Sequence, residues 1–357
     1  MRVVQLLTTL SFGDAVSNDT LALGKVIREM GHDTGIYAEN IDPRLPKGSA
    51  QHVREMKFLR PDDLLIYHKS TGTDLSFRLQ DHPCRKLMIY HNITPPAFFE
   101  PYILEAAALT RYGLEGVTYL KDKVDAVMGD SEFNLSNLRD MGYTCPMMVR
   151  PILIPFEDYA KKPDEAIVRE MTKDGWTNIV FVGHIAPNKR QEDLIRTFAV
   201  YKKMNARSRL ILVGSWTGME NYYERLRTYA QALGLEDVVF TGHIPFAQIL
   251  AYYHSASVFL CMSAHEGFCV PLAEAMYFRV PIIAYSACAV PDTLGGSGLL
   301  LTRNDPTEAA MLIDRVMRDD ALREAVIKGQ DERLKDFSYD RIKALFTRQL
   351  TDVIRNA

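Results

Sequence analysis

Two short stretches set the architecture: NIVFVG, Asn178–Gly183, and RLILVG, Arg209–Gly214. Each is a run of β-branched and other apolar residues that stops at a glycine. Between them lies a longer amphipathic segment, 191–204. Strands separated by helices predict a parallel sheet with crossover helices. The pattern continues with VVFTG at 238–242, VFLCMS at 258–263 and PIIAY at 281–285. Segments 191–204, 222–233, 246–255 and 271–278 read as the helices between them.

The N-terminal half shows the same alternation more faintly. Apolar runs at 3–7, 64–67, 86–90 and 126–128 read as strands, and 18–30 as a helix stopped by Gly31. Prolines at 146, 151, 155 and 163 mark 147–164 as a linker. A chain of 357 residues is long for one core, so two domains are expected. The fold class is α/β, with two Rossmann-like domains facing each other across a cleft. The bounds are 1–150 and 151–338, with a helix at 339–357 crossing back to the first domain. Ligands of such sheets bind beyond the carboxyl ends of the strands.

Composition narrows the function. A formal net charge of −3 with no basic stripe argues against a nucleic-acid partner. It leaves contact with a membrane surface open. The five cysteines form no CxxC pair and no cluster with zinc-finger spacing, so they read as reduced, and no metal site is expected. No apolar run approaches the roughly 20 residues of a membrane helix. The first residues read as a strand rather than a signal peptide, which fits a cytoplasmic protein, with peripheral attachment to the inner membrane face left open. The first strand is not followed by G-x-G-x-x-G, which disfavours a dinucleotide-dependent dehydrogenase.

The segment SAHEGFCVPLAEAM, Ser263–Met276, carries the strongest chemical signal. Glu266 lies in the loop after a strand and Glu274 one turn inside the following helix, with Pro271 suited to its first turn. The amides of Gly267, Phe268, Cys269 and Val270 lie between them at a helix N-terminus, an anion site. A nucleotide sugar has this layout. Glu266 would accept from sugar hydroxyls, the amides would hold phosphate, and Glu274 would take the ribose. Two glutamates on an ordinary solvated helix are the plainer alternative. In VGHIAPNKR, Val182–Arg190, Lys189 and Arg190 oppose the dipole of the next helix, so an anionic partner is expected for them. A solvated Lys-Arg pair is the alternative there. The backbone near Ile244 would face the base.

Three features of the first half are weaker. His91, in YHNITPP (Tyr90–Pro96), stands at a strand end and would touch the transferred sugar or assist proton movement. A hydrogen-bonded structural histidine is its alternative, and His68 has the same placement. Gly13 would let backbone approach a phosphate, or is an ordinary turn glycine. Asp130 and Ser131 read as a strand end and a helix cap.

These motifs resemble the retaining glycosyltransferases of the GT-B fold, family four. The resemblance is strong from 178 to 300 and weaker before Tyr90. Glu266 and Glu274 occupy the two positions of that family's paired-glutamate motif, and 267–270 match its donor-facing loop. Lys189 matches its phosphate-binding lysine, His91 its cleft histidine, and Gly13 its first loop. Two departures stand out: His184 replaces the usual arginine, and the first loop lacks paired glycines. The resemblance implies transfer of a hexose from a UDP- or GDP-sugar to a saccharide or lipid-linked acceptor. It implies retention, no metal or other cofactor, and a place in surface polysaccharide biosynthesis. His91, Lys189 and Glu266 would be the catalytic residues. An epimerase or phosphorylase of the same fold, or a non-catalytic nucleotide-sugar binder, are the alternatives.

Overall fold

A computed structural model describes residues 1–355. The chain divides into two compact units. The first comprises 1–97, 104–155 and 336–357. The second comprises 98–103 and 156–335.

The first unit holds β1 (Val3–Leu10), α1 (Ala15–Glu29), β2 (Ile36–Ile41), β3 (Gln51–His52) and β4 (Leu64–Lys69). It continues with α2 (Leu75–Arg78), β5 (Arg85–Tyr90), α3 (Leu104–Leu120), β6 (Ala126–Gly129), α4 (Glu132–Asp140) and β7 (Met147–Val149). The sheet is parallel in the order β3-β2-β1-β4-β5-β6-β7. Helices cover both faces, so β4 is buried at every position. Asp14 caps α1 by accepting from the Ser17 amide at 2.9 Å. The C-terminal helix, Tyr339–Arg355, buries Ile342, Phe346 and Leu350 in the cluster that contains Val3, Leu23 and Leu64. It is therefore part of this unit's core.

The second unit holds α5 (Glu165–Thr172), β8 (Thr177–Val182), α6 (Gln191–Met204), β9 (Ser208–Val213), α7 (Glu220–Ala232) and β10 (Val238–Phe240). Next come α8 (Phe246–Ser255), β11 (Val258–Cys261), α9 (Val270–Tyr277), β12 (Ile282–Tyr285), α10 (Val290–Leu294), β13 (Leu299–Leu301), α11 (Pro306–Arg318) and α12 (Asp320–Leu334). Its sheet is also parallel, in the order β10-β9-β8-β11-β12-β13. The order reverses direction between β8 and β11, the switch point where such sheets open a crevice.

Several expectations need correction. The expected linker 147–164 contains β7, paired to β6, and a 3-10 turn at Phe156–Ala160. Three half-buried residues, MMV, are too few to register as a strand by periodicity. Phe98–Ile103, expected in the first domain, belongs to the second unit. Tyr102 packs edge-on against Tyr222 at 5.0 Å, and Phe98 lies 6.0 Å from His265. Nothing local in those six residues announces which sheet they join.

One buried charge stands out. Lys69 ends β4 with no exposure and, among the described residues, no acidic partner; its Nζ donates to the Thr71 carbonyl at 2.8 Å and to Ser76 Oγ at 2.7 Å. A Cβ at position 116 would lie 3.0 Å from that Nζ and 2.8 Å from Ser76 Oγ, so Gly116 makes the room. Burial lowers the lysine pKa to about 7. A base depressed in the folded state is a cost that is full below the folded pKa and fades as pH rises toward the unfolded value. Lys69→Met is therefore expected to stabilise the first unit by about 1–3 kcal/mol at neutral pH, with a smaller gain at alkaline pH. Urea denaturation of both proteins at several pH values checks it; a destabilised variant would contradict the account.

Candidate functional site

The loops leaving β8 and β11 meet at the switch point of the second sheet. After β8 the chain makes a 3-10 turn, Pro187–Lys189, and Arg190 then takes a left-handed conformation (φ 53°) before α6. After β11, residues 262–269 lead to Cys269, also left-handed (φ 72°), which precedes α9. The two loops are tied by backbone. The Ala264 amide donates to the Asn188 carbonyl at 2.9 Å, and Asn188 Nδ2 donates to the His265 carbonyl at 3.1 Å.

That bracing sets the central contact: Lys189 Nζ donates to Glu266 Oε2 at 2.5 Å. The lysine side chain is 23% exposed and the glutamate 7%. Burial works against the Lys189 charge, but the Glu266 carboxylate outweighs it and raises its pKa. The pair is thus a cation and an anion held together in a largely desolvated pocket. His265 beside it is buried, and that burial drops its pKa to about 4, so it is neutral.

Gly267, Phe268, Cys269 and Val270 lead into the start of α9, where Pro271 carries no N–H and the Leu272 amide donates to the Cys269 carbonyl at 3.0 Å. The Phe268 carbonyl is anchored by the Thr293 hydroxyl. Glu274, one turn into α9, has its two oxygens engaged separately. Tyr159 donates to Oε1 at 2.5 Å and Tyr253 to Oε2 at 2.6 Å. Burial raises its pKa although both phenols stabilise the charged form. These tyrosines escaped the sequence reading. Both sit among aromatic side chains that periodicity assigns simply to core.

Arg190 has the anionic partners that its position demanded, but they are its own helix's acids. Its Nε lies 2.9 Å from Asp193 and 3.3 Å from Glu192. The Nε edge of the guanidinium is thus taken by acids in the first turn of α6, and the side chain remains 34% exposed. His184 is exposed, and its pKa is lowered by desolvation first and the Lys189 charge second. It is therefore neutral at pH 7, and no second fixed cation stands at that position. Ile244 is half-buried between β10 and α8.

Gly13 and His91 lie in the first unit. Gly13 is exposed in the turn after β1 with φ 77°, and a Cβ there would meet nothing within 4 Å. The His91 side chain is 1% exposed, with Nδ1 2.8 Å from Asp130 Oδ2 and Nε2 3.0 Å from His68 Nδ1. Both ring nitrogens are thus engaged inside the first unit, by Asp130 and by His68. Asp130 also belongs to this cluster, while Ser131 caps α4 by accepting from the Asn134 amide at 3.2 Å.

Two groups of side chains, among the described residues, have metal-ligand types close together: Asp19, His68 and His91, and Cys261, Glu266 and Cys269. In each, a cationic side chain already neutralises the carboxylate. Arg150 forks onto Asp19 at 2.7 and 2.8 Å, and Lys189 holds Glu266. No helix among the described residues is long and apolar enough to cross a membrane.

Comparison with known proteins places this arrangement. Residues 165–333, nearly all of the second unit, match the family described as glycosyl transferases group 1. The chain is 24% identical to O-antigen chain mannosyltransferase B of Escherichia coli, over 82% of this chain and 81% of the relative. It is 36% identical to a GDP-mannose-dependent alpha-mannosyltransferase of Mycolicibacterium smegmatis, over 39% of this chain and 34% of the relative. A crystal structure of HepE from Anabaena in complex with UDP and glucose superposes with a TM-score of 0.76 at 17% identity, covering 98% of this chain and 99% of that one. Sucrose-phosphate synthase from Thermosynechococcus elongatus gives the same TM-score and identity over the full length of both chains. The family match covers the very loops that pair Lys189 with Glu266, and the fold match extends through both units: residues 165–333 match the group 1 glycosyltransferases, and the enzyme is a hexosyltransferase.

Proposed function

We propose that this enzyme transfers a hexose from a nucleotide diphosphate sugar to a saccharide or lipid-linked acceptor, with retention at the anomeric carbon and without a metal ion, in building a surface polysaccharide. The observation that carries the proposal is the Lys189–Glu266 pair at the start of α9. The donor diphosphate takes Lys189 and the positive N-terminal end of α9, while the hexose hydroxyls take Glu266. Glu274, held by Tyr159 and Tyr253, receives the ribose hydroxyls. Relatives named as mannosyltransferases favour GDP-mannose as donor, with UDP-glucose the natural comparison.

In the reaction the bond from the anomeric carbon to the diphosphate oxygen breaks as the acceptor hydroxyl attacks from the same face. The acceptor proton passes to the departing diphosphate oxygen. Lys189 and the N-terminal end of α9 stabilise the charge growing on that oxygen. A protein cation thereby supplies the neutralisation that a metal would otherwise give, and both metal-ligand clusters already hold such a cation. Work at the inner face of a membrane fits a lipid-linked acceptor.

The test supplies GDP-mannose or UDP-glucose with and without a saccharide acceptor and follows diphosphate release and product configuration by NMR. Release should quicken with acceptor, the new linkage should keep the donor's configuration, and chelators should leave the rate unchanged. An inverted linkage, or complete loss in chelator restored by magnesium, would overturn the proposal.

A further inference from the structure

The first unit contains a buried polar chain that the proposed reaction does not use. Gln5 on β1, His68 on β4, His91 directly after β5 and Asp130 after β6 form a continuous line of hydrogen bonds. Arg150, after β7, and Asp19, on α1, lie beside it, and all six residues are buried.

Donor and acceptor bookkeeping fixes the protons. Gln5 Nε2 donates to the Thr20 carbonyl at 3.0 Å, so its Oε1 is the atom facing His68 Nε2 at 2.9 Å. An amide oxygen only accepts, so His68 Nε2 carries a hydrogen. The Asp130 carboxylate accepts from His91 Nδ1 at 2.8 Å, so that nitrogen also carries one. The two remaining nitrogens, His68 Nδ1 and His91 Nε2, face each other at 3.0 Å. With a lone pair on each they would repel; at hydrogen-bond distance one of them must be protonated. Four ring nitrogens then share three protons, one more than two neutral imidazoles hold.

Charge balance gives the same answer independently. Asp19 and Asp130 bring two negative charges and Arg150 one positive, with Arg150 Nη2 2.7 Å from Asp19 and 3.7 Å from Asp130. An uncompensated charge in a fully buried cluster is costly. One shared ring proton brings the sum to zero, whereas a divalent ion between neutral rings would leave an excess of one positive charge.

We infer that His68 and His91 share one imidazolium proton at neutral pH, and that this proton is a structural tie joining β1, β4, β5 and β6. His91 is its main holder. Burial opposes the charge, but Asp130 outweighs it and raises the His91 pKa, while His68 is pushed well below the usual value. Lys69, the next residue on β4, points to the other face of the sheet toward Ser76 and takes no part. A base raised in the folded state contributes stability that is full below its unfolded pKa and lost as pH rises through the folded one. Losing the proton sets two lone pairs against each other at the ends of β4 and β5 and loosens the turn at 91–96.

The test is ring-nitrogen NMR of the full chain labelled with 15N-histidine, titrated from about pH 6 to about pH 9. One of the nine histidines is expected to stay doubly protonated after the exposed ones have titrated. His91→Phe should remove that signal. Asp130→Asn should lose it at neutral pH, and His68→Gln should keep it because an amide oxygen accepts the same proton. Every histidine neutral at mildly alkaline pH in the wild type would overturn the inference, and so would a signal indifferent to Asp130→Asn. The readout does not depend on transferase activity.

Discussion

Glu266→Gln is expected to lower kcat/KM for transfer by about 100- to 1,000-fold, and Lys189→Met by a similar factor. The glutamine keeps the shape of the side chain but removes the charge, so the Lys189 ammonium at 2.5 Å loses its counter-ion and the donor hydroxyls lose a strong acceptor. The methionine removes the cation that stabilises the departing diphosphate. Because the two groups act through one contact, the double variant should fall well short of the product of the two single losses. Steady-state kinetics on the four proteins measures this. Full additivity would mean that the ion pair seen in the free protein is unrelated to turnover. Unchanged activity in both single variants would remove the site from the reaction.

Arg150→Met should cost the first unit about 3–5 kcal/mol. The guanidinium is fully buried and donates to Asp19 twice and to the Pro151 carbonyl at 3.0 Å, while also facing Asp130. Its removal leaves two buried carboxylates offset only by the one proton that His68 and His91 share. Arg150→Lys should restore only part of the loss, since a point charge cannot fork across both Asp19 oxygens. Pairing Arg150→Met with Asp19→Leu should recover most of it, because the uncompensated charge disappears with its partner. Urea denaturation of the set decides the matter. A loss for Arg150→Met no larger than that of an ordinary surface variant would show that water or a backbone rearrangement satisfies those carboxylates.

The second unit was the more legible half for a physical reason. Strands such as Asn178–Val182 are covered on both faces and so are apolar at nearly every position, and each helix between them alternates with a period that sequence alone displays. The positions of Lys189 and Glu266 relative to strand ends were readable in the same way. Short half-buried strands such as Met147–Val149 left no such trace.

The sequence by itself determined two parallel-sheet domains, a helix N-terminus flanked by two glutamates, and a lysine at the end of the preceding turn. Tertiary structure alone decided which charges meet. It paired Lys189 with Glu266 across 77 residues, gave Arg190 to its own helix, handed Glu274 to Tyr159 and Tyr253, and enclosed His91 between His68 and Asp130. Periodicity records whether a residue faces a core, which is a local property. The identity of its partner depends on strand order, because the reversal between β8 and β11 makes neighbours of loops that are distant along the chain.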